Sequence, residues 1–478
     1  MSGIDEGRDT LDKDQLSAVV ERVLRRLHQG ELPDNTGRMP ASPLGAFATV
    51  DQAVDAARIT HQTLVALPLE RRREIIANVR RRCAEDVHTL SRMAVEETDL
   101  GRVEHKIKKN LLVIHKTPGV EILQPTAYTG DDGLTLIERA PFGVIASITP
   151  CTNPSETIIN NGIGMVAGGN GVVFNVHPMA KNTSAYCVDL INRASIEAGG
   201  PEHLMTCVAN PTIASANQVM THKGVRLVVV TGGGAVVQAA MASGKKCVAA
   251  GPGNPPVVVD ETADIGAAAR GITNGAGFDN NIICIDEKEV FVVDKVADKL
   301  MDAMEALGCV RLRNHQITRL EKLVLTPDRE HINREWVGKS AARMLREIDV
   351  PFKGDPPLII CEVDFDHPFI QVELLTSILG IVRSRDVHEA IDQAVLAEHG
   401  FGHTASMWSK NLDSLHRMAR VCNCSIFVKN ASNTAGLGFG GEGYTSFTIA
   451  SPTGDGLTTA RTFTRERRCT LAGYFRIV

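Results

Sequence analysis

The chain is poor in aromatic side chains. Phenylalanine, tryptophan and tyrosine make up 4% of its 478 residues, with two tryptophans and four tyrosines. A core with so few rings must be filled by smaller aliphatic residues, and the 42 glycines suit a Val/Ala/Gly-rich α/β protein. Long hydrophobic runs are also missing. No stretch approaches the roughly 18 unbroken apolar residues of a membrane-spanning helix, and the N-terminus lacks the basic-then-apolar plan of a signal peptide. The 11 cysteines are scattered and show no CxxC or Cys/His metal spacing; Cys422-x-Cys424 is too close for either. Reduced thiols in a cytosolic chain, with no metal site, are the expectation. No charge of one sign dominates: 51 basic and 56 acidic side chains give a net charge of -5. That balance argues against a nucleic-acid partner.

What is present suffices for two or three domains, at roughly 100–200 residues each. Residues 9–27, DTLDKDQLSAVVERVLRRL, place Leu16, Val19, Val20, Val23, Leu24 and Leu27 at three- and four-residue spacing. This predicts an amphipathic helix of about five turns with charges on its other face. A linker rich in glycine, proline and polar residues follows, with Pro33, Pro40 and Pro43. A helix set apart by a linker either packs on its own protein or serves as a detachable docking or targeting element, the second being the sharper reading. From Phe47 to Thr117 the pattern is helical and basic, and the runs Arg71-Arg72-Arg73 and Arg80-Arg81-Arg82 are read as solvated helix faces. Ala127–Arg139, with Gly130-Asp131-Asp132-Gly133 between apolar stretches, predicts a protruding hairpin.

From Gly143 short apolar runs alternate with helical stretches: GVIASITP, GVVFNV, LMTCVA, RLVVVTGG, KKCVAA, PPVVVD and EVFVV. Strands alternating with helices point to a largely parallel sheet. Gly162-Ile163-Gly164-Met165-Val166-Ala167 fits GxGxxA but lies inside an apparent helix, so its glycines are read as close-packing positions rather than a dinucleotide fingerprint. Val228–Val230 running into Thr231-Gly232-Gly233-Gly234 and then a helix is better placed to offer backbone N–H groups to a phosphate. Cys284, in the polar turn GFDNNIIC before EVFVV, is the candidate reactive thiol, on the reasoning that loop ends stabilise a thiolate. Cys151, in Thr149-Pro150-Cys151-Thr152-Asn153, competes with it, and composition does not separate the two.

The motifs APFGVIASITPCTNPSET, GNGVVFNVHP, GPGNPPVVVD, GFDNNIICIDEKEV, EHGFGHTA and GFGGEGYTSFT together resemble the aldehyde dehydrogenase superfamily over about residues 40–478. They are most similar to its CoA-acylating branch in bacterial microcompartments, the propionaldehyde dehydrogenases of propanediol-type organelles. The resemblance implies an α/β, aldehyde dehydrogenase-like fold with two Rossmann-like α/β domains, a small β oligomerisation arm and the N-terminal amphipathic helix. The implied boundaries are a targeting helix at 1–28, a linker at 29–46, an NAD/CoA-binding domain at 47–122 and 140–250, and a catalytic domain at 251–445. The arm and tail take 123–139 and 446–478. By the same resemblance Cys284 is the nucleophile, and the Asn153 side-chain amide with the Cys284 N–H cradles the oxyanion. Thr149 and Pro150 border the cofactor, as does the turn Thr231-Gly232-Gly233 at the pyrophosphate. Asn175 and His177 fall at the strand that meets the adenosine ribose, Glu373 contacts the nicotinamide-side ribose, and His403 matches a histidine typical of acylating members; we read it as orienting or deprotonating the CoA thiol, or as a plain hydrogen-bonding group.

Two departures from the hydrolytic members sharpen the expectation. Their deacylating glutamate has no counterpart in the stretch Ala249-Ala250-Gly251-Pro252-Gly253-Asn254, and attack by a thiol needs less help from a base than attack by water. Their Lys/Glu pair after the second strand is replaced by Asn175 and Lys181, leaving room for the 3'-phosphate of CoA in the groove that takes NAD first. The implied activity is CoA-dependent oxidation of a short-chain aldehyde, propanal before acetaldehyde or lactaldehyde, to acyl-CoA, with NAD in preference to NADP. The alternatives are a hydrolytic enzyme giving free acid and an acetaldehyde-specific, ethanolamine-type acylating enzyme. Expected partners are the aldehyde, coenzyme A, shell proteins through the N-terminal helix, and a second copy of the chain in a homo-dimer or tetramer. The expected location is cytoplasmic, inside a bacterial microcompartment, without a membrane partner.

Overall fold

The computed structural model describes residues 42–478, so the expected N-terminal helix lies outside the described residues. The chain divides into two compact units. One holds the residues up to Glu97, Ile107–Ala250 and Tyr444–Val478, and the other holds Thr98–Lys106 and Gly251–Gly443.

The first unit begins with the strand β1 (Ala46–Phe47) and the helices α1 (Val50–Ala66), α2 (Leu69–Glu85), α3 (Val87–Thr98) and α4 (Val103–Lys116). It continues with β2 (Thr126–Gly130), β3 (Gly133–Pro141), β4 (Val144–Thr149), α5 (Pro154–Ala167), β5 (Gly171–Val176), α6 (Lys181–Glu197), β6 (Thr206–Val208), α7 (Ile213–Thr221), β7 (Val225–Thr231), α8 (Gly234–Met241) and β8 (Lys246–Ala250). Six strands form one parallel sheet in the order β1-β6-β5-β4-β7-β8. β4 and β5 are buried along their whole length, which is why their sequences are apolar without alternation. The chain runs outward through β4, β5 and β6, then crosses back to place β7 on the other side of β4. That reversal opens the crevice where open α/β sheets take their ligands, beyond the carboxyl ends of β4 and β7.

α5 is buried on every side, Glu156, Asn160 and Asn161 included. Its glycines make this possible. A Cβ at Gly162 would come within 2.2 Å of Met205 Cε, and one at Gly164 within 3.1 Å of the Phe463 ring. The packing reading of GxGxxA therefore stands. The arginine runs of α2 differ from expectation at two positions. Arg72 is buried and donates to the carbonyls of Leu64 and Ala167. Arg80 donates to the carbonyls of Ile114 and Thr117. Their neighbours do form surface pairs, Arg71 with Glu74 and Arg73 with Glu70. A run of like residues does not tell which guanidinium will satisfy carbonyls left over at the ends of helices.

The second unit follows with β9 (Pro256–Val259), α9 (Ile265–Ala276), β10 (Glu289–Val293), α10 (Asp294–Ala306), β11 (Val310–Arg311), α11 (Asn314–Val324), α12 (Ala341–Glu347), β12 (Ile359–Glu362), α13 (Pro368–Gln371), β13 (Ile378–Ser384), α14 (Val387–Ala397), β14 (Thr404–Trp408), α15 (Leu412–Val421) and β15 (Ile426–Lys429). Its seven-stranded parallel sheet has the order β11-β12-β13-β10-β9-β14-β15. One face packs Val257, Val290, Val292 and Ile381 against α9 and α10. The other packs Val258, Phe291 and Val382 against α13, α14 and α15. The chain then returns to the first unit with β16 (Ile449–Ala450), β17 (Gly456–Leu457) and β18 (Thr464–Ala472). β18, β3 and β2 make a three-stranded antiparallel sheet, and β2 and β3 are the expected hairpin, closed by Asp131-Asp132. Of residues 446–478 only β18 joins this sheet; Phe463 is buried against Gly164 and Thr453 Oγ1 accepts from the Ala249 N–H. No helix among the described residues is long and apolar enough to cross a membrane, and no described cluster could hold a metal ion. All 11 cysteines are free thiols.

Candidate active site

In the first unit, Thr149 ends β4 and Pro150 opens the loop that delivers Asn153 to the start of α5. Asparagine at a helix N-cap ordinarily accepts a hydrogen bond from the first turn, worth about 0.5–2 kcal/mol. Asn153 makes no such cap. Its Oδ1 instead accepts from Lys109 Nζ at 2.5 Å, and its Nδ2 donates to Thr152 Oγ1 at 3.2 Å. Lys109 has no exposed surface, and its Nζ also lies 3.3 Å from Glu156 Oε1 on α5.

The other expected residues of this unit follow the carboxyl edge of the sheet. Asn175, in β5, pairs with Ile148 of β4, which pairs in turn with Val230 of β7, one residue before Thr231. Asn175 Oδ1 accepts from Ser215 Oγ at 2.6 Å. His177 turns its ring onto its own loop, where Nδ1 accepts from the Met179 N–H. Lys181 is exposed at the first turn of α6. The N–H groups that follow it are taken: Asn182 N and Thr183 N donate to the Glu97 carboxylate at 2.8 and 2.7 Å. Thus the start of α6 already holds an anion, a carboxylate that the sequence pattern at 175–181 does not reveal. Thr231 Oγ1 bonds Thr448 Oγ1 at 2.7 Å and the Gly232 N–H reaches the Ala250 carbonyl. A Cβ at Gly233 or Gly234 would meet nothing within 4 Å. This open turn at the start of α8, beside the switch point of the sheet, fits the pyrophosphate of a dinucleotide.

In the second unit, Cys284, Glu373, His403 and Gly253 precede β10, β13, β14 and β9, so they gather at the amino edge of the sheet. Three successive residues before the cysteine, Asp279, Asn280 and Asn281, have φ of 48°, 57° and 64°. Asp and Asn tolerate this left-handed region better than other side chains, but a run of three is costly. Buried partners hold it. Asp279 accepts from the Arg102 N–H and pairs with Lys106, and its own N–H donates to His105 Nδ1. Asn280 accepts from Arg102 Nε and donates to the Gly338 carbonyl. Asn281 donates to the carbonyls of Ala276 and Glu287. Lys288 closes the loop: its Nζ donates to the Asn281 carbonyl (2.8 Å), Asn281 Oδ1 (2.6 Å) and the Ile283 carbonyl (3.0 Å). Three acceptors call for three hydrogens, as the ammonium ion has, while burial pulls the lysine's pKa down and Asp286 and Glu373 oppose that fall.

Cys284 is partly exposed. Burial of its surroundings pushes the thiol up to about 12, Glu373 adds to the rise, and Lys288 pulls against both. The expected stabilisation of a thiolate by a loop end is therefore corrected: the resting group is a thiol, because desolvation and a neighbouring carboxylate outweigh one cation. Burial likewise raises Glu373, which Lys288 and the Gly253 N–H oppose. Glu373 Oε1 accepts that N–H at 3.2 Å. The stretch Ala249–Asn254 has no carboxylate of its own, yet one approaches it. His403 is 1% exposed, its N–H donates to Glu398 Oε1, and its Nδ1 bonds Thr404 Oγ1 at 2.9 Å. Its Nε2 has no partner. Burial and Lys288 hold the imidazole down at about 4, so it is neutral. A Cβ at Gly253 would lie 2.9 Å from His403 Cγ and 3.0 Å from the Cys284 carbonyl. Only glycine lets the histidine pack this close to the cysteine loop.

The sequence reading missed Lys109 and Lys288, and it missed Glu289, a fully buried acid on β10 whose two carboxyl oxygens have no partner. A cavity of about 1050 Å³ lies at the opposite, carboxyl edge of the sheet. Two of its arginines are engaged there, Arg311 by Glu362 and Arg383 by Asp294, Asp298 and Glu362.

The chain is similar along most of its length to acetaldehyde dehydrogenase (acetylating) EutE of Escherichia coli strain K12, 45% identical over 473 residues that cover 98% of this chain and 100% of that one. Among solved structures, a propionaldehyde dehydrogenase from the fucose utilisation microcompartment of Clostridium phytofermentans superposes with a TM-score of 0.89 at 48% identity, covering 91% of this chain and 100% of the other. A Rhodopseudomonas palustris propionaldehyde dehydrogenase with bound CoA and an acylated cysteine has a TM-score of 0.88 at 44% identity, covering 90% and 99%. Residues 33–451 match the aldehyde dehydrogenase family as a whole. With two parallel α/β units, an open glycine turn in one and a cysteine loop in the other, this chain belongs to the aldehyde dehydrogenase family.

Proposed function

We propose that the protein oxidises a short-chain aldehyde, propanal in the first instance, to its CoA thioester with reduction of NAD. The observation that carries this reading is the neighbourhood of Cys284. A partly exposed thiol stands in a firmly held loop beside a neutral, unpartnered imidazole, and the Ala249–Asn254 stretch supplies no glutamate to activate water. Cys284 Sγ adds to the aldehyde carbonyl, and its proton passes to solvent water as the S–C bond forms. Asn153 Nδ2 and the Cys284 N–H receive the oxygen as it gains charge. The Thr231–Gly233 turn and, by the family resemblance, Glu373 would hold NAD, which would supply the hydride acceptor when bound. The acyl group then rests on Cys284 until the thiol of CoA displaces it, which predicts ping-pong kinetics. An imidazole held near 4 does not strip a free thiol of its proton, so His403 Nε2 serves to orient the CoA S–H by accepting its hydrogen bond.

The deciding experiment measures products with and without CoA. Acyl-CoA as the only product supports the reading; free acid formed equally fast without CoA overturns it. Rates for acetaldehyde, propanal and lactaldehyde at saturating CoA then assign the substrate, and a tenfold preference for acetaldehyde would reverse our choice of propanal. We also place the enzyme in a bacterial microcompartment, docked to shell protein by residues 1–28. Deleting those residues should abolish co-purification with shell proteins and leave the specific activity unchanged.

A further inference from the structure

Asn153 spends its carbonyl oxygen in an unusual way. It occupies the N-cap position of a 14-residue helix, yet it donates nothing to that helix and accepts nothing from it through its side chain. The oxygen is taken by Lys109, a side chain with no exposed surface, at 2.5 Å. A lysine ammonium only donates. The amide end that faces it must be the carbonyl, and the NH2 end must face away. Lysine therefore fixes which way the amide is turned, a choice that an asparagine held by ambivalent partners such as hydroxyls would leave open. A cation on the carbonyl also draws charge from the amide nitrogen and makes its N–H groups stronger donors. Glu156, 3.3 Å from the same Nζ and itself fully buried, neutralises the lysine without touching the amide. Because the charges cancel, what remains at Asn153 is orientation and polarisation rather than a general positive field.

We propose that Lys109 is a positioning residue for the reaction: it holds the Asn153 amide with its N–H groups presented to the carbonyl oxygen of the aldehyde. The inference rests on the reading of Asn153 as an oxyanion donor, and the test separates the two. The measured quantity is the single-turnover rate of NADH formation with aldehyde and NAD but no CoA, which isolates acylation of the enzyme. Lys109→Met combined with Glu156→Gln removes the clamp without leaving a lone buried carboxylate. The pair should slow acylation about 10- to 100-fold, short of the roughly 10²–10³ for outright loss of an oxyanion donor, and leave NADH affinity within about twofold. In an Asn153→Ala background the same pair should cost less than about twofold, because there is no amide left to orient. Equal losses in both backgrounds would make Lys109 a general support of the fold and overturn the proposal. If Asn153→Ala alone slows acylation less than about threefold, the oxyanion role itself fails, and any effect of Lys109 then belongs elsewhere. Should the methionine pair fail to fold, Lys109→Gln, which keeps a donor on a shorter stem, runs the same cycle. It should lose at least about threefold in the native background and nothing further beside Asn153→Ala; an additive loss refutes the assignment.

Discussion

Each unit contributes one loop with a buried lysine, and the two lysines do different work. In the asparagine loop Lys109 has a carboxylate partner, Glu156, and the helix that follows is unstrained. In the cysteine loop Lys288 gives its three hydrogens to two carbonyls and an amide oxygen, none of them charged. Three left-handed residues precede it. A neutralised lysine can direct a neighbouring group but exerts little field. A lysine bonded only to neutral oxygens keeps its field, and Cys284, Glu373 and His403 all feel it. The difference shows how one residue type becomes a clamp or a charge source, depending on whether its partner is an ion.

The largest effect should come from the cysteine loop itself. Cys284→Ala should reduce turnover below about a thousandth while NAD still binds, as read by NADH formation at 340 nm and by titration calorimetry. Greater residual turnover would move the nucleophile elsewhere and leave the comparison without its centre. Next, Asn153→Ala should lower kcat about 10²–10³-fold. A smaller effect follows for the charge source. Lys288→Met should slow alkylation of Cys284 by iodoacetamide at pH 8 about tenfold and move its pH profile upward by about one unit. An unmoved profile would mean that Lys288 only ties the loop together and that the contrast with Lys109 is false.

The smallest effect concerns stability. Glu287, next to Lys288, is pushed up to about 7 by burial, with the Asn433 N–H opposing. The native state then holds a proton that the unfolded chain releases near 4.5, so this group's contribution to stability falls as pH rises from about 4.5 to about 7. Glu287→Gln removes that dependence. The thermal midpoint at pH 8 should rise by a few degrees relative to the native chain, with little change at pH 4. A uniform drop at both pH values would show that the carboxyl is needed for packing alone.

The strands were legible because Val228–Val230 and Val257–Val259 are apolar runs bounded by glycine or proline, and buried parallel strands need nothing more. The polar turn before such a run made Cys284 a candidate, but composition alone did not separate it from Cys151. The family motifs add the assignment of roles. The lysines were not legible. On α4, Lys106 and Lys109 follow the pattern of a charged, solvated face, yet both are fully buried. Their partners, Asp279 and Glu156, are 173 and 47 residues away in sequence, and no periodicity reports on a partner at that distance. The thiol's rise escaped for a similar reason: it depends on Glu373 and on the depth of the packing, both set only when β10 and β13 come together. One local trace was there to be read. Asp279-Asn280-Asn281 are residue types that accept positive φ, and three in a row mark an uncommon turn.

That turn also limits what can be moved into another protein. The strip from Gly277 to Cys284 does not contain its own geometry, since Arg102, His105 and Lys106 hold it from a segment more than 170 residues earlier. Grafted alone onto a foreign α/β scaffold, the strip should relax toward ordinary backbone angles and lose its aim. A designer wishing to transplant this cysteine loop would need to carry the distant clasp with it.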